Sequence, residues 1–238
     1  MISLLHYQLI NYLRSYKYIP PFFIFILCIV VNYAFVPNPI LDSYSFTSTL
    51  LFLLMGWFTV TIFHAEDEGQ KVITILHSKG QKAYFSALYI FCIGIGFCLS
   101  LIAVIYPIVI DAFGAKPKTL HILLGVLAHF TLSILAIALS SLFTRELVIN
   151  KQNTWWGVLS TLIISIAIIA LKNKIKGLIW LFPPVHLSLE IMTAEDSIQT
   201  IPAIYYVHFM WIIIYSMLLV QLFFLILNRK KCQVHKQF

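Results

Sequence analysis

The chain has 238 residues, 61% of them hydrophobic and 11% charged, with a mean hydropathy of +0.92. A soluble globular chain holds roughly 45–50% apolar and about 25% charged side chains, so the excess faces lipid, and six spans of about 20 residues each leave no room for a water-soluble catalytic domain. The net charge of +7 is scattered over separate loops, which argues against nucleic acid and fits anionic lipid headgroups at the basic N-terminus and tail.

In chain order, residues 1–19 place Ile2, Leu5, Leu9, Tyr12, Leu13 and Tyr16 on one side of a helix and Gln8, Asn11, Arg14 and Ser15 on the other. That pattern predicts an amphipathic helix lying in the membrane interface. Pro20 and Pro21 are expected to end it and to open the first span, because proline disfavours helix in the residue before it and suits a helix's first turn. His6, Asn11, Arg14 and Lys17 precede the apolar run, which does not fit a cleavable signal peptide.

Spans are predicted over residues 21–36, 46–63, 83–110, 120–143, 155–171 and 204–227, with Val36-Pro37-Asn38-Pro39 closing the first and Pro107 kinking or ending the third. Trp155 and Trp156 would anchor the edge of the fifth. Residues 177–201 begin with an apolar run too short to span. Broken by Pro183 and Pro184, the segment reads as a re-entrant or interfacial helix pair. Residues 228–238 form a basic tail, Asn228-Arg229-Lys230-Lys231 onward. The expected fold class is therefore all-α: a single polytopic membrane domain over residues 1–238, with six transmembrane helices, an N-terminal interfacial helix and a re-entrant segment before the last span.

Basic residues orient the chain. With the N-terminus inside, eleven Lys and Arg lie in inner segments (Arg14, Lys17, Lys71, Lys79, Lys82, Arg145, Lys151, Arg229, Lys230, Lys231, Lys236) against five outside (Lys116, Lys118, Lys172, Lys174, Lys176). The expectation is a multi-pass protein of the cell membrane with both termini cytoplasmic.

The loop at residues 64–82 is the most informative polar stretch. Glu66, Asp67 and Glu68 suit a helix N-terminus, Lys71 follows, and Val72, Ile75 and Leu76 share an apolar face. The result is either a docking knob for a soluble partner or an ordinary solvated connector.

The histidines and cysteines carry less. His121 and His129 are eight residues apart, about 12 Å along a helix, too far to share a metal unaided, and no HExxH or GxSxG pattern accompanies them. His129 reads as a packed side chain with a polar tip. Cys28, Cys92 and Cys98 lie in apolar runs and Cys232 in the tail, without metal or disulfide spacing. No Asp, Glu, Lys or Arg falls in the middle of a predicted span, which counts against an intramembrane enzyme, a proton-coupled carrier or an ion pump. Polar groups in the spans that a substrate path would use are Asn32, Tyr33, Thr59, Ser100 and Thr131, with Thr47, Thr61, Tyr106 and Ser133 beside them. Most such groups instead bond a preceding carbonyl or a neighbouring helix. Gly94 and Gly96 suggest close helix contact rather than phosphate binding.

Leu4 and Tyr7, then Leu13-Arg14-Ser15, on a surface helix, followed by six spans, an acidic loop after the second and a proline-broken segment before the sixth, resemble the permease subunits of type-2 ATP-binding cassette exporters, the small bacterial six-span kind. The resemblance implies that residues 1–19 are the connecting helix and that residues 66–82 hold the coupling helix, with Glu66, Asp67, Glu68, Lys71, Val72, Ile75 and Leu76 facing the ATPase. It also implies that residues 177–201 make extracellular re-entrant helices, where Trp180, Phe182, Pro183, Pro184, His186 and Glu190 would form an outer gate or a loop that merely plugs the outer face of the dimer. Two permeases, identical or related, would pair, each on a separate cytosolic ATPase that binds ATP and magnesium. This chain has no GxxxxGK[ST] loop and would itself hold no cofactor or metal and catalyse no reaction. Its small loops resemble permeases that export, or confer immunity to, amphipathic or antimicrobial peptides and other hydrophobic substrates. The alternative is a non-transporting immunity or sensor protein that binds a peptide at the outer surface.

Overall fold

The computed structural model of the chain describes residues 1–148, 150–171, 182–192, 196 and 200–234. Nine α-helices are found among them: α1 (Ile2–Arg14), α2 (Ile19–Asn32), α3 (Ile40–Phe63), α4 (Glu68–His77), α5 (Gln81–Val109), α6 (Thr119–Ser141), α7 (Lys151–Ala167), α8 (Val185–Met192) and α9 (Ala203–Val234). A 3-10 turn, Ile168–Leu171, prolongs α7. Among the described residues the only β pairing is an isolated parallel bridge between Asn38 and Phe113.

The protein is an all-α polytopic membrane protein. Among the described residues five helical segments are long and apolar enough to cross a bilayer: α3, α5, α6, α9 and Gln152–Ala170 of α7 with its extension. The sixth candidate is the pair α1 and α2, bent by 79°. Here the structure departs from the expected first span. At 14 residues, α2 is about 21 Å long, short of the roughly 30 Å hydrocarbon core. Residues 33–39 carry the chain onward, held by Asn38, whose N–H donates to Ala112 O at 2.9 Å and whose carbonyl accepts from Gly114 N at 3.0 Å.

The bend itself also falls elsewhere than expected. α1 stops at Arg14, and Tyr16 adopts a left-handed backbone with φ +55°. Pro20 and Pro21 lie in the first turn of α2, where a missing amide costs nothing, and do not themselves end α1.

Three helices extend beyond their predicted spans by four residues or more. α3 begins at Ile40, directly after Pro39, and not at residue 46. α7 begins at Lys151, where the Asn150 side chain accepts from Gln152 N at 3.1 Å, so Trp155 and Trp156 lie inside the helix. α9 runs on through the basic stop to Val234, making most of the expected tail helical. Pro107 remains within α5, which ends two residues later.

At the centre α3 packs along α6, with α5, α7 and α9 around this pair. Small residues set the approach. A Cβ on Gly125 of α6 would lie 3.0 Å from the Tyr44 ring of α3, and one on Gly96 of α5 would lie 3.1 Å from Ser133 Cβ of α6. Small residues at such contacts let transmembrane backbones close up. A Cβ on Gly94, two residues from Gly96, would meet nothing within 4 Å, and Gly94 lies exposed in an apolar groove that α5 shares with α1 and α2.

α8 packs against α3, α6, α7 and α9, with Val185 and Ile191 fully buried. The described part of the expected re-entrant segment is thus a short helix covered by protein, the condition under which non-spanning backbone is tolerated at membrane depth.

Candidate functional site

The polar residues that converge most tightly lie where the α3–α4 connection meets α1, α5 and the α6–α7 loop. Glu66 is 5% exposed. Its Oε1 accepts from the Tyr7 hydroxyl of α1 at 2.8 Å and from the Thr74 hydroxyl of α4, and its Oε2 accepts from the Tyr84 hydroxyl of α5 at 2.8 Å. Gln70 of α4 donates to Tyr7 Oη at 2.7 Å. Burial, with a smaller contribution from the Glu66 carboxylate, raises the Tyr7 phenol above its ordinary range, so it stays a protonated donor at neutral pH.

Further bonds fasten the same region. Tyr12 Oη meets Thr61 Oγ1 at 2.9 Å, Gln8 donates to Tyr84 O at 3.3 Å, and Lys17 donates to His64 O at 2.7 Å. Arg145 N donates to His64 Nε2 at 2.9 Å, which makes that nitrogen the acceptor and puts the ring proton on Nδ1. Lys71 Nζ pairs with Glu146 Oε1 at 2.5 Å.

This arrangement divides the residues expected to face an ATPase. Glu66 is a buried acceptor, and Lys71 is paired inward to the α6–α7 loop. Asp67, at the N-cap, and Glu68, in the first turn, remain exposed at the positive end of the α4 dipole. Ile75 packs partly against the core, whereas Val72 and Leu76 are 56% and 76% exposed. Ile73, passed over in the sequence, is 58% exposed. The free apolar ridge of α4 is therefore Val72, Ile73 and Leu76. Beside α4 a cleft of about 720 Å³ opens toward α1, lined by Leu4, Tyr7, Ile73, Thr74 and His77 among others.

Comparison with protein-family models, with curated proteins and with solved structures finds no match to this chain.

The polar residues considered for a substrate path are spread over four helices. Thr59, Ser100 and Thr131 are buried, and each hydroxyl donates to its own helix four residues back, to Met55 O, Gly96 O and Leu127 O, all at 2.7 Å. Tyr33 is buried against the rings of Tyr106 and Phe113, and Asn32 is half-buried with its Nδ2 enclosed. His129 is wholly buried. Its Nδ1 lies 2.7 Å from Gly125 O and must donate there, so Nε2 accepts from Thr47 Oγ1 at 2.9 Å. This is the packed side chain with a satisfied polar tip that the sequence suggests.

Of the residues considered for an outer gate, Phe182, Pro183 and Glu190 are half-buried, Pro184 is buried, and His186 is 3% exposed. Trp180 lies outside the described residues. One residue of that region was missed in the sequence. The Asp196 carboxylate accepts from Ile40 N at 2.9 Å and Leu41 N at 3.0 Å, capping α3 from 155 residues away. Among the described residues no three His, Cys, Asp or Glu side chains are placed to share a metal ion.

Proposed function

We propose that this chain is the permease subunit of an ATP-driven exporter, docked through α4 onto a separate cytosolic ATPase and moving an amphipathic peptide or another hydrophobic substrate. The observation that carries the reading is the two-sidedness of α4. Its outer ridge of Val72, Ile73 and Leu76 is free to enter a partner's cleft, and its inner side is hydrogen-bonded through Glu66 to α1 and α5. A solvated connector has no use for three exposed apolar side chains on one turn, nor for a buried carboxylate joining three helices. A push on α4 would pass directly to the interfacial helix and to one spanning helix.

In this reading the α4 face is cytoplasmic. The contacts of Phe223 with Phe63 and Phe85 bring the C-terminal end of α9 to that same face, in keeping with both termini inside. Two permeases, alike or related, pair in the membrane, and ATP and magnesium stay on the partner ATPase. Tagged protein isolated in mild detergent from its native membrane is expected to carry an ATP-hydrolysing subunit, and the triple variant V72S/I73S/L76S is expected to lose it while still inserting. Retention of hydrolysis by the variant would overturn the assignment of α4 as the docking element.

A further inference from the structure

A second polar feature lies on the lipid-facing wall and takes no part in the Glu66 cluster. Between the start of α5 and the end of α9 a notch of about 410 Å³ is lined by Lys82, Ser86, Gln221, Phe224, Leu225 and Asn228. Lys82, Gln221 and Asn228 are exposed, and Arg229, also exposed, lies about one helical turn beyond Leu225 on α9. Among the described residues no carboxylate lines the notch.

The depths of these groups set the chemistry. Gln221 is seven residues before Asn228, about 10 Å into the span, and Ser86 is four residues after Lys82, about 6 Å in. An amide and a hydroxyl at those depths on a lipid-facing surface are unfavourable unless something polar meets them, and neither side chain bonds another described residue. Hydrocarbon tails cannot satisfy them, whereas the ester groups just below a phospholipid headgroup can. Lys82, at the start of α5, and Arg229, at the end of the apolar stretch of α9, lie outward of them, where a phosphate would stand. Phe224 and Leu225 supply an apolar flank for the upper acyl chain.

We propose that this notch is a binding site for one anionic phospholipid, with its phosphate on Lys82 and Arg229, its glycerol esters on Ser86 and Gln221, and its chains along α9. Basic notches between transmembrane helices near the membrane surface suit acidic headgroups. The site does not depend on the transport reading, since its groups are separate from α4 and the lipid is a resident partner rather than cargo.

The test uses the full-length protein in detergent, titrated with dioleoyl phosphatidylglycerol or dioleoyl phosphatidylcholine and read by native mass spectrometry. The wild type should retain the anionic lipid in preference to the zwitterionic one. The double variant K82Q/Q221L should lower that preference by about fivefold or more, from the loss of one surface cation. K82R should preserve it, and so should K116Q, which removes an exposed lysine beyond the other end of α5. Equal retention of the two lipids by the wild type, or an unchanged preference in K82Q/Q221L, would overturn the site. So would efficient cross-linking between two Q221C copies in lipid membranes above the background of the native cysteines, because the notch would then be filled by a second chain.

Discussion

The two ends of the helical bundle are fastened by different means. At the α4 end the joints are side chains: Tyr7, Thr74 and Tyr84 converge on one carboxylate, and Lys71 with Glu146 and His64 with Arg145 bind the loops. At the opposite end one joint is backbone to backbone and the other is a single side chain on backbone amides. Asn38 exchanges hydrogen bonds with the chain at Ala112 and Gly114, and Asp196 caps the amides of Ile40 and Leu41. The backbone pairing at Asn38 resists substitution and fixes a shape. Joints gathered on one side chain can be released together, which suits the end at which a partner would act.

The largest effect is expected from E66A. It leaves the Tyr7 and Tyr84 hydroxyls with no acceptor, whereas Thr74 still has Gln70 O at 3.0 Å, at a cost on the order of 1–3 kcal/mol for each donor that stays buried and unpaired. Thermal unfolding in detergent should shift strongly downward, and protease should reach the 64–82 loop sooner. E66Q keeps an acceptor oxygen and should restore part of the loss. A variant E66A as stable as wild type would erase the contrast between the two ends.

D196A is expected to come next. It removes a helix cap worth about 0.5–2 kcal/mol, so the change should be smaller and local. Amide exchange should rise at Ile40 and Leu41, with little change at Thr74 or Tyr84. Equal exchange changes at both ends would mean that the bundle responds as one unit.

The contrast also marks what could be read from the sequence. The spans, the amphipathic α1 and the short α4 follow from apolar periodicity punctuated by proline and polar runs, and most were found to within a few residues. The role of Glu66 was hidden because Glu66, Asp67 and Glu68 look alike in sequence. Only the tertiary placement of Tyr7, 59 residues earlier, and Tyr84, 18 residues later, buries the first and leaves the others in solvent. Asp196 was hidden for the same reason, its partners lying 155 and 156 residues away. On α4 the spacing made Ile75 a member of the outer face, but packing against the core turned it inward and left Ile73 outside.

Y7F should have a more modest effect. The Tyr7 hydroxyl donates to Glu66 and accepts from Gln70, and Glu66 keeps two other donors when it is lost. A net loss of about 0.5–1.5 kcal/mol is expected for one hydrogen bond. The informative measurement is the coupling between sites. In the double-mutant cycle of Y7F with T74V the two losses should be non-additive, because both hydroxyls meet the same Oε1 atom. Strict additivity would mean that α1 and α4 are held independently and that Glu66 does not join them.

The smallest effect on stability is expected where the effect on partnership should be greatest. Val72, Ile73 and Leu76 are each more than half exposed, so replacing all three by serine removes little buried area. Each change should stay within about 0.5 kcal/mol, as exposed positions usually do. In a partner's cleft the same side chains would each contribute up to roughly 1.5–3 kcal/mol on full burial, so a nearly unchanged melting temperature should accompany the loss of an associated ATPase. I75S is the internal control. Ile75 packs against the core, so its replacement should lower the melting temperature more than any one of the ridge substitutions, while the ridge stays intact for docking. If I75S abolished association and the triple ridge variant did not, the two sides of α4 would have been assigned in reverse.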